Sequence, residues 1–145
     1  LLTNELHGHL GLYSILGAKM GVRALELLGA GLDEVDVLSR AGAEAPLSCL
    51  TDGLQVATGA TLGRGSIAVD PEAHRPGARF AYGGRALELT LKPEVLERVR
   101  RDILDCLADH GALTPAYWQA IRALGLRYWL EMDRTRIFDE AWEPR

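Results

Sequence analysis

The sequence predicts an α+β fold: a long N-terminal helix, a strand, a second helix, a three-stranded antiparallel meander in a mixed sheet, and C-terminal helices. Two observations carry this prediction. Apolar residues recur every three or four positions in the first and last parts of the chain, which is typical of amphipathic helices. Between these parts, apolar and polar residues alternate on either side of Gly83-Gly84, which is typical of a β-hairpin with a two-residue turn.

The first predicted helix spans residues 5–28 and ends at Gly29 and Gly31. Its core-facing side carries apolar or small residues three or four positions apart: Leu6, Leu10, Tyr13, Gly17, Met20, Ala24 and Leu28. A glycine in a helix interior costs about 1 kcal/mol relative to alanine. We therefore expect a neighbouring element to approach this helix closely at its glycines, which are Gly8, Gly11, Gly17 and Gly21.

The middle of the chain contains shorter elements. A strand is predicted around residues 35–37, and a second helix runs from residue 47 or 48 to residue 58, where Gly59 marks its end. A strand at residues 66–69 and a hairpin then form the predicted three-stranded meander. The hairpin is marked by alternating apolar residues on each side of its glycine turn: Phe80, Tyr82, Leu87, Leu89 and Leu91.

Two further helices are predicted from Pro93 to Gly111 and from Thr114 to Met132, each with proline in its first turn. We interpret their apolar stripes as core packing without chemistry: Leu96, Val99, Ile103, Leu107, Trp118, Ile121, Leu124 and Tyr128. We divide the chain into an α+β domain over residues 1–92 and a helical extension over residues 93–145 that packs on the same core.

The composition excludes several classes of function. With 145 residues, a net charge of −4 and 48% hydrophobic residues, the chain has the values of one compact domain. No apolar run is long enough to span a membrane. Basic residues alternate with acidic ones, so the basic patch that nucleic acid binding needs is absent. Cys49 and Cys106 are too few for a disulfide framework, and no signal peptide is recognisable, so we expect a cytoplasmic protein.

The first candidate site is the sequence His7-Gly8-His9. On a regular helix, side chains two positions apart point about 200° away from each other, so both imidazoles could bind one ion only if the backbone is not helical there. Gly8 would permit such a departure. The alternative interpretation is a pair of solvated histidines near a helix start.

The second candidate site lies in the predicted second helix and the turn after it, where polar side chains gather: Ser48, Cys49, Asp52, Gln55, Thr58 and Thr61. Cys49 and Asp52 are three positions apart and share one helix face, from which a thiolate and a carboxylate could reach one point. The alternative makes Cys49 a small buried apolar residue and Asp52 an acid favoured at the helix N-terminus. We interpret Gly63-Arg64-Gly65 as a glycine turn, although its amides could also cradle an anion.

Together, these two motifs resemble the FmdE family of formylmethanofuran dehydrogenase proteins. His7-Gly8-His9-Leu10, followed by residues 17–21 (GAKMG), is similar to the first helix of that family. Residues 49–59 (CLTDGLQVATG), with Thr61 and residues 63–65, are similar to its second signature. Order and spacing agree over about residues 1–92. The resemblance implies an α+β domain, usually dimeric, with a metal ion held by the histidine and cysteine motifs.

The chain departs from the family pattern at two cysteines. The family usually has Cys-Pro-Gly after its histidine pair, whereas this chain has Gly11-Leu12-Tyr13. Ala60 stands where a cysteine usually follows the second motif. The remaining ligands are one short of a closed tetrahedral zinc site, which fits an open site with a position for water or substrate.

The resemblance leads to a primary hypothesis, a homodimeric protein that binds a divalent transition metal through His7, His9 and Cys49. Zinc is the favoured ion, with nickel, iron, cobalt and copper as alternatives. The candidate catalytic residues are Asp52 and Cys49. Candidate contacts to a small-molecule substrate or cofactor are Gln55, Thr58 and Arg64.

Two alternatives to a metal protein stay open. One is a metal-free enzyme with Cys49 as nucleophile and His7 or His9 as base, which needs the helix N-terminus to lower the pKa of the thiol. The other is an interaction module whose metal site has decayed. In the dimer, the glycines of the first helix could permit close packing against a second copy of the chain.

Overall fold

The computed structural model describes residues 1–145 and confirms the α+β class. Its helices are α1 (Leu2–His7), α2 (Leu12–Leu28), α3 (Leu50–Thr58), α4 (Pro93–His110) and α5 (Pro115–Glu131). Its strands are β1 (Asp36–Ser39), β2 (Ile67–Val69), β3 (Gly77–Tyr82), β4 (Arg85–Leu91) and β5 (Phe138–Trp142). A short 3₁₀ turn, Leu47–Cys49, leads directly into α3. None of the helices combines the length and the apolar character needed to cross a membrane.

All five strands form one mixed sheet in the order β2-β1-β3-β4-β5. The predicted hairpin is present as β3 and β4, and β4 pairs antiparallel with β5 on its other side. The predicted meander is corrected in one respect. Strand β2 does not pair with β3, because β1 lies between them. Strand β1 pairs parallel with β2 on one side and antiparallel with β3 on the other.

Strand β5 is absent from the sequence prediction. Of its five residues only Phe138 is buried, and the next two, Asp139 and Glu140, are acidic and exposed. An edge strand of this kind lacks the alternation of apolar and polar residues by which strands are recognised. It nevertheless ties the C-terminal end of the chain to the sheet, because it continues the ladder beside β4.

The N-terminal helix, which the apolar spacing predicts to be continuous, is broken between α1 and α2. Gly8 ends α1 with a φ of 82°, in the left-handed region that glycine adopts without a steric penalty. Gly11 is extended and forms the N-cap of α2. The apolar spacing misleads here because Leu6 and Leu10 continue the pattern of α2 across the break.

The glycines of α2 allow close packing against α3 within the same chain. A Cβ atom at Gly17 would lie 2.0 Å from the carbonyl oxygen of Leu50, and one at Gly53 would lie 1.9 Å from that of Ser14. A Cβ atom at Gly21 would lie 2.7 Å from the Cβ atom of Ala57 on α3. The glycine face of α2 is therefore already covered. This corrects the expectation that these glycines would permit contact with a second copy, and the dimer itself stays a prediction.

Helix α5 packs on α2 and shares the core with the sheet. Tyr117, Ile121 and Tyr128 are buried in the same apolar cluster as Phe80 and Leu89. The approach is close because a Cβ atom at Gly125 would lie 2.8 Å from Ile15 Cδ1 on α2 and 3.4 Å from the carbonyl oxygen of Leu10. This contact holds α5 against the break between α1 and α2, where the histidines lie.

Candidate functional site

The break between α1 and α2 brings both histidines into one small cavity with Cys49. The cavity has a volume of about 70 Å³ and opens to solvent. Cys49 reaches it from the turn before α3, so the three predicted metal ligands line a common space. The rest of the wall is mostly apolar: Gly11, Leu12, Tyr13, Pro46, Ile103, Tyr117, Trp118 and Ile121.

Asp52 holds the His7 ring in place. His7 Nδ1 lies 2.5 Å from Asp52 Oδ2. An ionised carboxylate can only accept a hydrogen bond, so Nδ1 carries the proton and donates it. The carboxylate keeps contact with water, since its side chain is 36% exposed against 8% for His7. When the imidazole is neutral, this hydrogen bond leaves a free lone pair on Nε2.

The other nitrogen of His7 has no partner. His7 Nε2 is buried and is the one buried side-chain nitrogen or oxygen in the chain without a hydrogen bond. A Cβ atom at Gly11 would lie 3.3 Å from His7 Nε2 and 3.4 Å from His9 Nε2. Both nitrogens therefore lie beside the same face of Gly11, where a side chain would crowd the two imidazoles. An unpaired buried nitrogen costs about 1–3 kcal/mol, so a ligand bound to His7 Nε2 would remove a real penalty.

His9 lies between His7 and Trp118. Its ring centroid is 4.4 Å from that of His7 and 4.6 Å from that of Trp118. Burial in this stack, and then the neighbouring His7, lower the pKa of His9 below its usual value of 6.5. His9 is therefore a neutral imidazole at pH 7, and its ring can donate a lone pair to an ion.

The surroundings of Cys49 stabilise the protonated thiol. Burial, and then the Asp52 carboxylate, raise the pKa of Cys49 above its usual value. A backbone hydrogen bond at the start of α3 lowers this pKa, but burial and Asp52 outweigh it, so the net shift is opposite to what a metal-free nucleophile would need. Without a metal ion, Cys49 is a thiol at pH 7, and a bound cation would be required to convert it to a thiolate.

The side chains do not form a ready-made coordination sphere. No group of three or more His, Cys, Asp or Glu side chains stands close enough together to hold one metal ion. The cavity offers two imidazoles and a sulfur, which are the donor types that zinc prefers. The donor atoms are of the types that bind transition metals. The unpaired Nε2 of His7 also lacks a partner, which a metal ion could supply. Adjustment of side chains within the cavity would be needed to bring the donors onto one ion.

The predicted substrate or cofactor contacts lie elsewhere. Thr58 is fully buried at the end of α3, where its hydroxyl donates to the carbonyl of Leu54. Arg64 is exposed and forms an ion pair with Asp33 at 2.7 Å. Gln55 lines a separate surface depression beside α1. None of the three side chains lines the cavity of His7 and Cys49.

Helices α4 and α5 supply cavity residues that the sequence analysis assigned to the core alone. Trp118, 38% exposed, covers His9, and Tyr117 packs edge-on against Trp118 with ring centroids 5.1 Å apart. Ile103 reaches the cavity from α4. The spacing of Trp118 and Ile121 predicts a helix face correctly, but nothing local indicates that this face meets the histidine motif more than 100 positions earlier.

These features define a class of protein, an α+β domain with a cavity that is lined by histidine, cysteine and one face of α5. A family model described as "FmdE, Molybdenum formylmethanofuran dehydrogenase operon" matches residues 6–138. The chain therefore belongs to the FmdE family. The match extends beyond the resemblance at residues 1–92 and covers α4 and α5.

Two known proteins are similar to this chain. A probable S-adenosyl-L-methionine-binding protein of Archaeoglobus fulgidus is 42% identical over 72 residues, which are 46% of this chain and 19% of that protein. The chain thus spans about a fifth of the length of this relative. A tungsten formylmethanofuran dehydrogenase FmdE-like protein of Syntrophus aciditrophicus has a crystal structure similar to this one, with a TM-score of 0.60. At 18% identity, over 98% of this chain and 68% of that one, it supports the fold.

Proposed function

We propose that this FmdE-family protein binds a divalent transition metal, with zinc first, in the cavity of His7, His9 and Cys49. The orphaned Nε2 of His7 is the observation that carries the proposal. In metal sites, a ligating histidine commonly donates its other ring N–H to a carboxylate, and His7 makes such a bond to Asp52. With three protein ligands, a coordination position would stay open for a small-molecule substrate.

When bound, the ion would supply Lewis-acid chemistry, either activating water or polarising a carbonyl group. The chain's own residues set the conditions for that chemistry. Asp52 fixes the tautomer and orientation of His7, so that Nε2 faces the cavity. Trp118 covers His9, and the mostly apolar wall lowers the local dielectric constant, which strengthens electrostatic interactions inside the cavity.

The same geometry favours a second candidate function, metal-free general base catalysis. A histidine whose Nδ1–H is held by a carboxylate and whose Nε2 is free has the arrangement of a catalytic base. Cys49 does not suit the role of nucleophile in such an enzyme, because its pKa is raised. A protein that takes up no metal at all would favour this candidate or the decayed interaction module.

Elemental analysis of protein purified without a histidine tag tests the proposal. We expect close to one equivalent of zinc or a similar ion per chain, held less tightly below pH 7 because the donors must lose protons. The Cys49→Ser and His7→Gln variants should lose affinity at least about tenfold, since each removes one donor atom. Cys106→Ser and His110→Gln are the matched controls, because neither residue lines the cavity.

Absence of metal in the purified protein, with no uptake of zinc, nickel, cobalt, copper or iron, would contradict the proposal. Equal effects of the Cys49 and Cys106 variants would also contradict it. The proposed assembly is a homodimer, as the family resemblance implies, and the proposed location is the cytoplasm, as the cysteine usage suggests. Light scattering that gives the mass of a single chain at micromolar concentration would contradict the dimer without affecting the metal site.

A further inference from the structure

We infer that a second subsite lies beside the proposed metal cavity and binds the oxyanion group, carboxylate or phosphate, of a small planar molecule through Arg122. Binding of the oxyanion at this subsite does not depend on the proposed metal site. Only the idea that the bound molecule reacts beside the ion rests on the proposed function. The subsite is a cleft of about 330 Å³ between α1 and α5, lined by Asn4, His9, Trp118, Gln119 and Arg122.

The spacing of residues on α5 directs Arg122 toward this cleft. Trp118, Arg122 and Gly125 stand at positions i, i+4 and i+7, so they share one face of the helix. Two of them have fixed contacts, because Trp118 stacks on His9 and Gly125 lies against Leu10. Arg122 lies between these contacts and therefore over the same segment between α1 and α2.

The polar groups of the cleft have no partners in the chain. Most arginines of this protein form ion pairs, as Arg40 does with Asp70 and Glu88. Arg122 forms none, and the amides of Asn4 and Gln119 make no side-chain hydrogen bonds. One guanidinium and two amides thus face a common space, and no other group of the protein uses their hydrogen-bonding capacity. A guanidinium presents parallel N–H groups that match the two oxygens of a carboxylate or phosphate.

The cleft and the metal cavity share a wall. His9 and Trp118 line both spaces, and the two rings are 4.6 Å apart. A molecule whose oxyanion binds Arg122 would lay its adjoining part against the indole of Trp118. A planar group suits that position because it can stack on an exposed aromatic face. Its far end would then lie next to His9, at the opening of the cavity where the proposed ion would act.

Titration calorimetry with simple probes tests this subsite. We would use benzoate and phenyl phosphate as planar oxyanions and benzamide as a neutral molecule of similar shape. The full chain is measured both as purified and after treatment with a chelator, since carboxylates also coordinate metal ions. We expect at least one oxyanion to bind at least ten times more tightly than benzamide in both preparations. A preference between the two oxyanions would identify the carboxylate or the phosphate as the natural group.

Variants and NMR locate the binding. Arg122→Gln should weaken oxyanion binding at least tenfold, whereas Arg101→Gln, an exposed arginine of α4 without an ion pair, should leave it unchanged. The indole N–H of Trp118, assigned from Trp118→Phe, should shift on titration more than those of Trp129 and Trp142. Arg122 is exposed and unpaired, so its variant should keep the melting temperature of the native protein.

Three results would overturn the subsite: equal binding of benzamide, an unchanged affinity in Arg122→Gln, or shifts confined to Trp129 and Trp142. Binding that depends on Arg122 in metal-free protein supports the subsite even if the protein takes up no metal. Oxyanion binding that disappears on chelation and does not depend on Arg122 would support the metal site alone. The two proposals therefore fail separately.

Discussion

The contact between α2 and α3 and the cavity of His7 both contain features that are locally unfavourable, but only one of them is compensated within the chain. Gly17 and Gly53 weaken their helices, and the close backbone approach between the helices accounts for them completely. His7 Nε2 is buried without a hydrogen bond, and no other group of the protein accounts for it. The difference separates a contact that the chain completes by itself from a site at which we propose that a ligand supplies the missing partner.

The largest effect is expected where α2 meets α3. Gly53→Ala would place a methyl group 1.9 Å from the carbonyl oxygen of Ser14, so the two backbones would have to separate. We expect the free energy of unfolding to fall by about 3 kcal/mol, the upper range for overpacking. Urea denaturation measures this loss. Gly63→Ala is the control, since a Cβ atom there meets nothing within 4 Å, and a similar loss in both variants would contradict the packing argument.

The next effect concerns a buried polar group that has its partners, in contrast to His7. The Lys19 ammonium donates to the carbonyl oxygens of Trp129 and Met132, at 2.7 Å each, near the end of α5. Lys19→Met should lower the free energy of unfolding by about 2 kcal/mol, because hydrogen bonds to a charged group are lost. Lys92→Met is the matched control and should change little. An unchanged stability in Lys19→Met would show that these two bonds contribute nothing.

A smaller effect is expected from the pH dependence of the metal-free protein. The pKa of His9 in the folded chain lies below its ordinary value of 6.5, so the unfolded chain takes up a proton first as the pH falls. Stability should therefore decrease progressively below about pH 6.5. In His9→Phe this contribution disappears, and the loss of stability between pH 7.5 and 5 should be smaller than in the native chain. Equal losses of stability in His9→Phe and in the native chain, measured by thermal unfolding, would contradict this prediction.

The smallest effect is predicted for His7 itself. His7→Leu removes an unpaired buried nitrogen, and the hydrogen bond lost with it leaves a partly exposed Asp52 that water can solvate. We expect the free energy of unfolding of metal-free protein to change by no more than about 0.5 kcal/mol, or to rise. Chemical denaturation of both metal-free proteins at pH 7 measures this change in the free energy of unfolding. A loss of 2 kcal/mol or more would make His7 a structural residue and remove the contrast with α2 and α3.

Much of the fold follows from local signals in the sequence. The hairpin is predictable because Gly83 and Gly84 both adopt positive φ, as a two-residue turn requires. Helices α4 and α5 are predictable because proline stands in the first turn of each. The pairing of β2 with β1 and the presence of β5 could not be predicted, since both depend on contacts between distant segments.

The site shows the same division between local and distant information. The two motifs single out three of the residues that line the cavity, His7, His9 and Cys49. The hydrogen bond from His7 to Asp52 spans 45 positions, and no spacing rule predicts which of the two histidines donates it. Nothing in the sequence distinguishes Trp118, because its helical spacing is that of an ordinary core residue. The packing of Gly125 against Ile15 and Leu10 brings the face of α5 that carries Trp118 to the histidines.

The most direct test of the metal site is an NMR spectrum of the imidazole nitrogens during titration with zinc. The account predicts that His7 Nδ1 stays protonated throughout, while His7 Nε2 changes from a free to a metal-bound nitrogen as one equivalent is added. His74 and His110, which lie outside the cavity, should not change. A His7 Nε2 resonance that stays free at saturating zinc would contradict the account.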